Sequence, residues 1–358
     1  MTPVTAALAL VGLVAFVILL IALGSARSIV RPGRSCPWTD PRRGADLEFE
    51  DVLFSATDDV RLKGWFVPAP GATDEPGPAV VLVHGWLWNR LGTRSDDLLN
   101  DFPGGKPVEL LPLAAALCRG GYHVLMYDMR NYGESERRGV YTAGWLESRD
   151  LLGAVDFLAA RPEVDAERIG VVGFSVGGNV LLHALPFTAR IRAGIAVQPA
   201  DVHGFMRRYN RQVFGPLGPV VTFLTQKLHG LAGGPALAPL HPAYVAPGAG
   251  QVPVLFVQGT GDRWGGVADV ERMVRVTPAA VPPIFPQTGH RFDGYNWVVG
   301  HPELVLSFLA EHMPRVSATV GAERTRRTPA AGGPKDAIPA PPAGGPDGGR
   351  VTTTVAEA

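Results

Sequence analysis

The sequence predicts an α/β protein with a mostly parallel sheet, helices on both faces of that sheet and an antiparallel edge at its N-terminal side. Three observations lead to this prediction. Short apolar runs alternate with helix-like segments through the body of the chain, as in strands joined by crossover helices. Two runs that alternate apolar and polar residues come before them, as in a hairpin. A glycine-rich turn around Ser175 joins one apolar run to the next helix-like segment.

The individual elements follow from these patterns. The hairpin is predicted at residues 47–54 and 60–67, on either side of Asp58-Asp59. Strands of the parallel body are predicted at residues 79–83, 123–128, 169–172, 193–197, 254–257 and 283–285. Helices are predicted within residues 109–119, 142–160, 179–185 and 303–312.

The N-terminus carries a long apolar run without charge at residues 4–23. Twenty helical residues span about 30 Å, the thickness of the hydrocarbon core of a bilayer. We therefore predict a single-pass transmembrane helix, and the arginines that follow it place the domain on the cytoplasmic side. A signal peptide cleaved near Gly24-Ser25-Ala26 is the alternative, although no Lys or Arg precedes the run.

The chain divides by composition into four parts. Residues 1–26 form the predicted anchor, and residues 27–44 form a linker rich in Pro and Gly. One domain is predicted at residues 45–315, with an insert at about residues 201–250. Residues 316–358 hold six Pro and seven Gly and few large apolar side chains, which predicts a disordered tail.

Charge and cysteine content limit the function. The 33 basic and 33 acidic residues cancel, so no basic surface for nucleic acid is expected and the partner should be a small molecule. The two cysteines, Cys36 and Cys118, are too few for a disulfide framework, and neither has the spacing of a metal ligand. We expect no metal and no organic cofactor.

The turn at residues 173–177 reads Gly-Phe-Ser-Val-Gly, and it lies between a predicted strand and a predicted helix. In that context the G-x-S-x-G pattern predicts a strained, exposed serine that can act as a nucleophile. Gly173 and Gly177 are expected to be small because strand and helix pass close to each other there.

The motifs together resemble those of α/β-hydrolases of the serine esterase, lipase and serine aminopeptidase type. The resemblance covers residues 48–313 and depends on His84-Gly85 after the third strand, residues 128–135 after the fourth, and the turn around Ser175. It also depends on two later loops that hold an acid and a histidine. The resemblance implies the α/β-hydrolase fold with a small lid insert, and partners of the serine in the chain order Asp or Glu, then His.

A serine nucleophile needs a base, because its hydroxyl holds its proton tightly at neutral pH. His290 is the predicted base, because it lies in a glycine-containing loop directly after a predicted strand. Loops at the carboxyl ends of parallel strands meet in one crevice, which would also hold Ser175. His84 also borders this crevice, but the resemblance makes it a structural residue of the oxyanion loop.

The base needs a carboxylate on its other nitrogen. Asp262 is the predicted acid, because it follows the penultimate strand through a short loop, and Asp201, one strand earlier, is the alternative. Asp128 ends a strand upstream of the serine, and in relatives that loop is a structural brace.

The negative oxygen of the tetrahedral intermediate needs two preorganised donors. We predict the backbone N–H of Val176, at the positive end of a helix, and the backbone N–H of Trp86. The chain departs here from lipases with a run of glycines, since Trp86-Leu87-Trp88 follow Gly85.

The substrate side of the crevice is predicted to be apolar. The insert is rich in aromatic and aliphatic residues, which suits an acyl or lipid-like ester, although the same residues could only attach the insert to the domain. Trp264 and Trp297 follow the predicted acid and base closely and are predicted to bind substrate.

The sequence thus predicts a membrane-anchored serine hydrolase that cleaves an ester through an acyl-enzyme on Ser175. A peptidase of the serine aminopeptidase type or a thioesterase is the alternative within the enzymes. A catalytically silent hydrolase fold that binds a ligand at the membrane is the alternative from another class.

Overall fold

The computed structural model describes residues 2–71, 75–94 and 105–314, so the predicted tail at residues 316–358 lies outside the described residues. The helices are α1 (Pro3–Val30), α2 (Pro41–Ala45), α3 (Leu111–Arg119), α4 (Ser148–Ala159), α5 (Val176–Ala184), α6 (Val202–Phe214), α7 (Gly218–Leu231), α8 (Val267–Val276), α9 (Arg291–Gly300) and α10 (Pro302–His312). The strands are β1 (Glu50–Ser55), β2 (Arg61–Val67), β3 (Gly77–Val83), β4 (Gly92–Thr93), β5 (Val108–Glu109), β6 (His123–Tyr127), β7 (Val164–Phe174), β8 (Ile191–Val197) and β9 (Val254–Val257).

Seven strands form one twisted sheet in the order β1-β2-β6-β3-β7-β8-β9. The strands from β6 to β9 run parallel, whereas β2 pairs antiparallel with both β1 and β6. The short strands β4 and β5 pair only with each other. The predicted fold class, a mostly parallel sheet with an antiparallel N-terminal edge, is confirmed.

Helices cover both faces of the sheet because its central strands are apolar on both sides. In β3, Val81 and Val83 belong to the core formed with α4, α5 and α8. The alternate residues Val80 and Leu82 belong to the core formed with α3, α9 and α10. Each of these four side chains is at most 1% exposed, as expected of a strand between two helical layers.

The predicted last strand at residues 283–285 is reduced to a single bridge between Ile284 and Val257. Ile284 still exchanges two backbone hydrogen bonds with β9, through Phe256 O and Gln258 N. Ala280 forms a further bridge with Val254, but the two bridges do not join into a ladder because Pro282 and Pro283 between them lack N–H donors. The segment nevertheless brings the loop at residues 287–290 beside the loop that follows β9.

The insert contains the helices α6 and α7 and three single turns of 3₁₀-helix between residues 238 and 249. It joins β8 to β9 and lies over the carboxyl ends of the parallel strands, as a lid would. The first helix is longer than the predicted anchor, since α1 runs to Val30 rather than ending at residue 26.

Helix α1 has a length and composition that suit a membrane span or a signal sequence alike. Its most apolar 18-residue window has a mean hydropathy of 3.1, and only 6% of that window is buried. The buried residues of the helix are Ala22, Ala26 and Ile29, which lie on one face and pack where α1 meets α7. The N-terminal two thirds of α1 therefore extend away from the domain.

His183 gives the fold a pH dependence that can be measured. Its ring is buried in α5, Nε2–H donates to Leu240 O at 3.2 Å, and burial lowers its pKa from 6.5 to about 4. Between about pH 6.5 and 4, His183 is protonated in the unfolded chain but neutral in the native protein. The free energy of unfolding therefore falls as the pH falls through this window. We expect His183 to lower the free energy of unfolding by about 2 kcal/mol at pH 5 relative to pH 7.5.

The measurement is thermal unfolding of the detergent-solubilised protein at pH 5 and pH 7.5. His183→Gln keeps a donor for Leu240 but cannot take up a proton, so its loss of stability on acidification should be smaller than that of the wild type. His301→Gln, at the end of α9, is the matched control, and its loss of stability on acidification should equal that of the wild type. Equal acid sensitivity of all three proteins would contradict the assignment.

Candidate active site

The candidate site begins at Ser175, which joins the end of β7 to the start of α5. Its backbone has φ +54° and ψ −117°, a left-handed conformation that a residue with a side chain adopts at a cost of about 1–3 kcal/mol. The N–H of Ser175 donates to Val197 O of β8 at 2.8 Å, which ties the turn to the neighbouring strand. The predicted sharp turn is present.

Two glycines make this turn possible because backbone segments cross beside it. A methyl group on Gly173 would lie 2.2 Å from Gly177 O, and one on Gly177 would lie 2.2 Å from Val83 O. Any larger residue would push α5 away from β3 and β7. Asn179 fixes the other side of α5, since its side chain donates to Ala143 O and Ala200 O and accepts from Ala200 N–H.

Ser175 lies at a cavity of about 260 Å³ beneath the insert. The walls come from six regions: α1, the loop after β3, the segment between β6 and α4, the turn around Ser175, the insert with the residues just before it, and the start of α9. The lining residues are Ser25, Ser28, Ile29, Trp86, Leu87, Trp88, Tyr141, Ser175, Val176, Ala200, Val202, Phe205, Met206, Tyr209, Asn210, Thr225, Arg291, Phe292 and Tyr295. Apolar side chains predominate, with a few polar groups near Ser175.

The predicted oxyanion donors both border this cavity. Val176 is the first residue of α5, where backbone N–H groups have no partner within the helix, and Trp86 belongs to the loop after β3. That loop passes directly beside the nucleophile, because a methyl group on Gly85 would lie 3.3 Å from Ser175 Cβ. Both predicted donors therefore belong to segments beside the serine, and their role at an oxyanion stays a prediction.

His84 is a positioning residue of this loop and cannot be the base. Its Nδ1–H donates to Gly85 O at 2.8 Å, and its Nε2 accepts from Met129 N–H at 3.1 Å. Burial lowers its pKa, so the ring stays neutral, and both of its nitrogens are engaged within the fold. Asp128 is likewise a brace, since it accepts from Arg90 N–H at 2.7 Å and Glu134 N–H at 2.9 Å.

Asp262 reaches the site from the loop after β9. One carboxylate oxygen accepts from the N–H groups of Trp264 and Gly265, each at 2.9 Å, and the other pairs with the Arg291 guanidinium. The carboxylate is buried. Asp201, the alternative acid, lies at the N-cap position of α6, where its side chain makes no capping hydrogen bond.

Arg291 occupies the position between the nucleophile and the acid. Its Nη1 pairs with Asp262, and its Nη2 donates to Ser175 Oγ at 3.1 Å and to Gln198 O at 3.4 Å. The guanidinium carbon also lies 5.2 Å from the ring centre of Tyr295. Arg291 is 5% exposed, so a buried cation directly contacts the predicted nucleophile.

A guanidinium in this position can donate hydrogen bonds but cannot accept the serine proton. Burial lowers the pKa of Arg291, but Asp262 and Tyr295 together outweigh burial, so the pKa is raised. Burial also raises the pKa of Tyr295 to about 12, so its hydroxyl, which faces Ser175 and Arg291, is a neutral donor. Neither Arg291 nor the neutral Tyr295 hydroxyl can therefore act as the base that removes the proton of Ser175.

His290 lies one residue earlier, at the start of α9. Its ring Nδ1 accepts from Phe292 N–H at 3.4 Å, and its backbone N–H donates to the Asp293 carboxylate at 2.9 Å. The ring stacks on Phe292 and meets Trp264 edge-on, each at 5.5 Å between centroids. Among the described residues no hydrogen bond joins His290 to Ser175 or Asp262. The sequence-based expectation placed His290 between them, and the structure places Arg291 there.

The reason is the direction of two consecutive side chains where the helix begins. His290 has extended backbone at φ −149° and turns its ring toward the first turn of its own helix. Arg291 is the first helical residue, and its side chain is directed to the sheet edge instead. Sequence reasoning missed Arg291 and Tyr295, and the signal that could have found them is their spacing of four on one face of α9.

The two tryptophans predicted to bind substrate lie elsewhere. Trp264 is 3% exposed and packs behind Phe205 and Tyr209, and Trp297 stacks on His301 within α9. Neither lines the cavity, where Trp86 and Trp88 lie instead.

Within the described ranges no group of three or more His, Cys, Asp and Glu residues is arranged to hold a metal ion.

A parallel sheet that presents a strained serine between a strand and a helix, beneath an insert, defines the α/β-hydrolase class. The sequence profile of the α/β hydrolase family matches residues 80–308, which is more than half of the chain. The protein therefore belongs to the α/β hydrolase family.

The chain is similar to a thiohydrolase and to an uncharacterised protein. It is 31% identical over 154 residues to the thiohydrolase aneE of Aspergillus aculeatus, covering 42% of each chain. It is 26% identical over 251 residues to the uncharacterised protein YfhR of Salmonella typhi, covering 70% of this chain and 76% of that one. The chain thus spans about two fifths of the thiohydrolase that it matches.

Solved structures share the fold. The Pyrococcus furiosus esterase Pf2001 has a TM-score of 0.59 at 23% identity, over 80% of this chain and 98% of the esterase. The α/β hydrolase GrgF from Penicillium has a TM-score of 0.53 at 22% identity, over 75% of this chain and all of GrgF.

Proposed function

We propose that the protein is a membrane-anchored serine hydrolase that cleaves a carboxylic ester of an acyl substrate through an acyl-enzyme on Ser175. The observation that carries the proposal is Ser175 itself, held in a left-handed turn at a largely apolar cavity and next to the start of α5. A strained residue at a cavity is typical of a functional group that the surrounding fold holds in place. The anchor is α1, with the domain on the cytoplasmic side.

The proposed reaction uses the groups around that serine. Ser175 Oγ attacks the ester carbonyl while His290 takes its proton, and the resulting oxyanion accepts hydrogen bonds from the N–H groups of Val176 and Trp86. His290 then gives the proton to the leaving alcohol. Water repeats the attack on the acyl-enzyme, with His290 again as base, and Asp262 orients the imidazole through its other nitrogen.

The proposal requires that His290 replace the Arg291 guanidinium between Ser175 and Asp262. The backbone of the histidine loop already lies against the acid loop, because a methyl group on Gly261 would lie 2.7 Å from His290 N. The exchange therefore involves two consecutive side chains and the first turn of α9. When Arg291 lies between them, Ser175 and Asp262 both contact the guanidinium, and His290 does not reach the serine as a base.

Two other functions have support. Thioester hydrolysis is supported by the similarity to the thiohydrolase aneE, and it would use the same serine and oxyanion donors. A binding module without turnover is supported by the position of Arg291, which fills the place of the base.

The experiment compares these functions on one preparation. Full-length protein in detergent is given p-nitrophenyl butyrate and the butyryl thioester of N-acetylcysteamine, with Ser175→Ala as control. We expect ester turnover on the order of 1–10 per second, a usual range for enzymes. Faster cleavage of the thioester would select the second function, and folded protein that cleaves neither would select the binding module.

A further inference from the structure

Helix α1 has two parts with different surroundings. From Pro3 to Val17 every residue is exposed, and the first buried residue is Ala22. From there the helix packs against α7, and Ser25, Ser28 and Ile29 form part of the wall of the Ser175 cavity. The anchor therefore ends as a wall of the candidate active site, without a free linker between them.

The lengths of the two parts match the layers of a bilayer. Residues 3–21 make about 28 Å of helix, close to the hydrocarbon thickness of about 30 Å. Ser25 and Ile29 lie about 6 Å and 12 Å further along the axis. If residues 3–21 cross the membrane, the cavity wall lies at the depth of the lipid headgroups and just beyond them.

The helices of the insert present an apolar surface beside α1. Its members are large apolar residues that are more than 40% exposed: Val213, Leu217, Val220, Phe223 and Leu231. We call this set the apolar lid face. Val220, Phe223 and Leu231 lie on one side of α7, since their spacings of three and eight residues follow the helical repeat. Phe223 is 59% exposed and Leu231 is 85% exposed, which burial in the domain does not explain.

Basic residues accompany this surface, as expected at a membrane interface. Lys227 lies on the same side of α7, with Nζ 5.5 Å from the ring centre of Phe223, and Arg207 and Arg211 are exposed on α6. Arg27 is exposed in the last turn of α1. Apolar side chains flanked by Lys and Arg are typical of helices that lie in the headgroup and acyl boundary of a bilayer.

We propose that the apolar lid face inserts into the boundary of the bilayer that α1 crosses, and that the Ser175 cavity takes a lipid-like acyl ester directly from that bilayer. The inference rests on the proposed function for the reaction, and on α1 and the lid face for the location. The occupant of the lid face is the membrane because α7 packs against α1, a helix that is long and apolar enough to cross one. The acyl chain would enter between α1 and the insert, past Ile29 and Met206.

The first test measures depth without any need for turnover. Full-length protein carrying Cys36→Ser receives one exposed cysteine by Phe223→Cys, while the remaining Cys118 is buried. The exposed cysteine is labelled with the fluorophore NBD, and the protein is reconstituted into vesicles of phosphatidylcholine and phosphatidylglycerol. Leu53→Cys is the matched control, because Leu53 is 72% exposed on β1, at the opposite edge of the sheet from β9. Brominated phosphatidylcholine should quench the label at position 223 roughly twofold or more and leave the label at position 53 unchanged.

The second test measures delivery of substrate. Phe223→Glu should lower hydrolysis of a long-chain ester embedded in the same vesicles by about tenfold, the effect of about 1.4 kcal/mol. Hydrolysis of a soluble short-chain ester should change by less than about twofold, because Phe223 does not line the cavity. Leu53→Glu should leave both rates unchanged.

The outcomes separate this inference from the proposed function. An unquenched label at position 223, or a vesicle rate unaffected by Phe223→Glu, would overturn the membrane-facing cavity even if the soluble ester is cleaved. A quenched label with no cleavage of any ester would leave the lid face in the membrane and refute the proposed ester hydrolysis.

Discussion

Replacing Ser175 by Ala is expected to lower kcat for p-nitrophenyl butyrate by a factor on the order of 10⁴ or more, because the acyl-enzyme can no longer form. Thermal stability should change little. The substitution removes one hydroxyl that accepts a bond from Arg291 at 3.1 Å and leaves the turn, its two glycines and the packing of α5 intact.

The measurement is steady-state turnover together with thermal unfolding of the same protein. A large loss of activity with an unchanged melting temperature would assign the hydroxyl to the reaction rather than to the fold. Turnover by Ser175→Ala near the wild-type rate would remove Ser175 as nucleophile, and another group would have to account for the activity.

The second large effect is expected at His290, and its neighbour Arg291 provides the contrast. His290→Ala should lower kcat/KM by about 10²–10⁴, the usual contribution of a general base. Arg291→Gln should keep kcat/KM within about threefold of the wild type or raise it, because removal of the guanidinium frees the position that the imidazole must occupy. The same variant should lose stability, since it leaves the buried Asp262 carboxylate without its cation.

The control is His301→Ala, a histidine at the other end of α9 that stacks on Trp297 away from the cavity. It should retain wild-type activity. If Arg291→Gln loses as much activity as His290→Ala, the bridge from Ser175 through Arg291 to Asp262 is part of the working site. If His290→Ala retains activity, the base lies elsewhere.

Much of the fold could be predicted because strands buried on both faces of a sheet are apolar at nearly every position. Strands such as β3 are apolar at every position, which predicts a strand covered on both faces. The hairpin of β1 and β2 alternates apolar and polar residues, which predicts the edge of the sheet. The turn at Ser175 could be predicted because the backbone passes so close to Gly173 and Gly177 that a larger residue would not fit there.

The site was only partly predictable, because side-chain direction at a helix start depends on tertiary contacts. The sequence indicated which loops meet at the serine. The Arg291 guanidinium is held there by contacts from distant parts of the chain, with the Asp262 carboxylate and Gln198 O, which the local sequence does not show. Trp264 was expected in the cavity from its closeness to Asp262 in the chain, yet it lies behind Phe205.

The role of α1 was not legible either. Composition indicated an anchor followed by a linker, whereas the helix continues to Val30 and contributes to the cavity. The small residues Ala22 and Ala26, four apart on one face, mark the contact with α7, but a membrane helix contains many alanines and nothing local singles these two out.

The central claim is that Ser175 is a nucleophile, and covalent labelling tests it most directly. Full-length protein in detergent is incubated with a fluorophosphonate, and the adduct is located by peptide mass spectrometry, with Ser175→Ala as the unlabelled reference. The account predicts one stoichiometric adduct on the peptide that contains Ser175. Folded wild-type protein that remains unmodified, or that carries the adduct on a different residue, would contradict it.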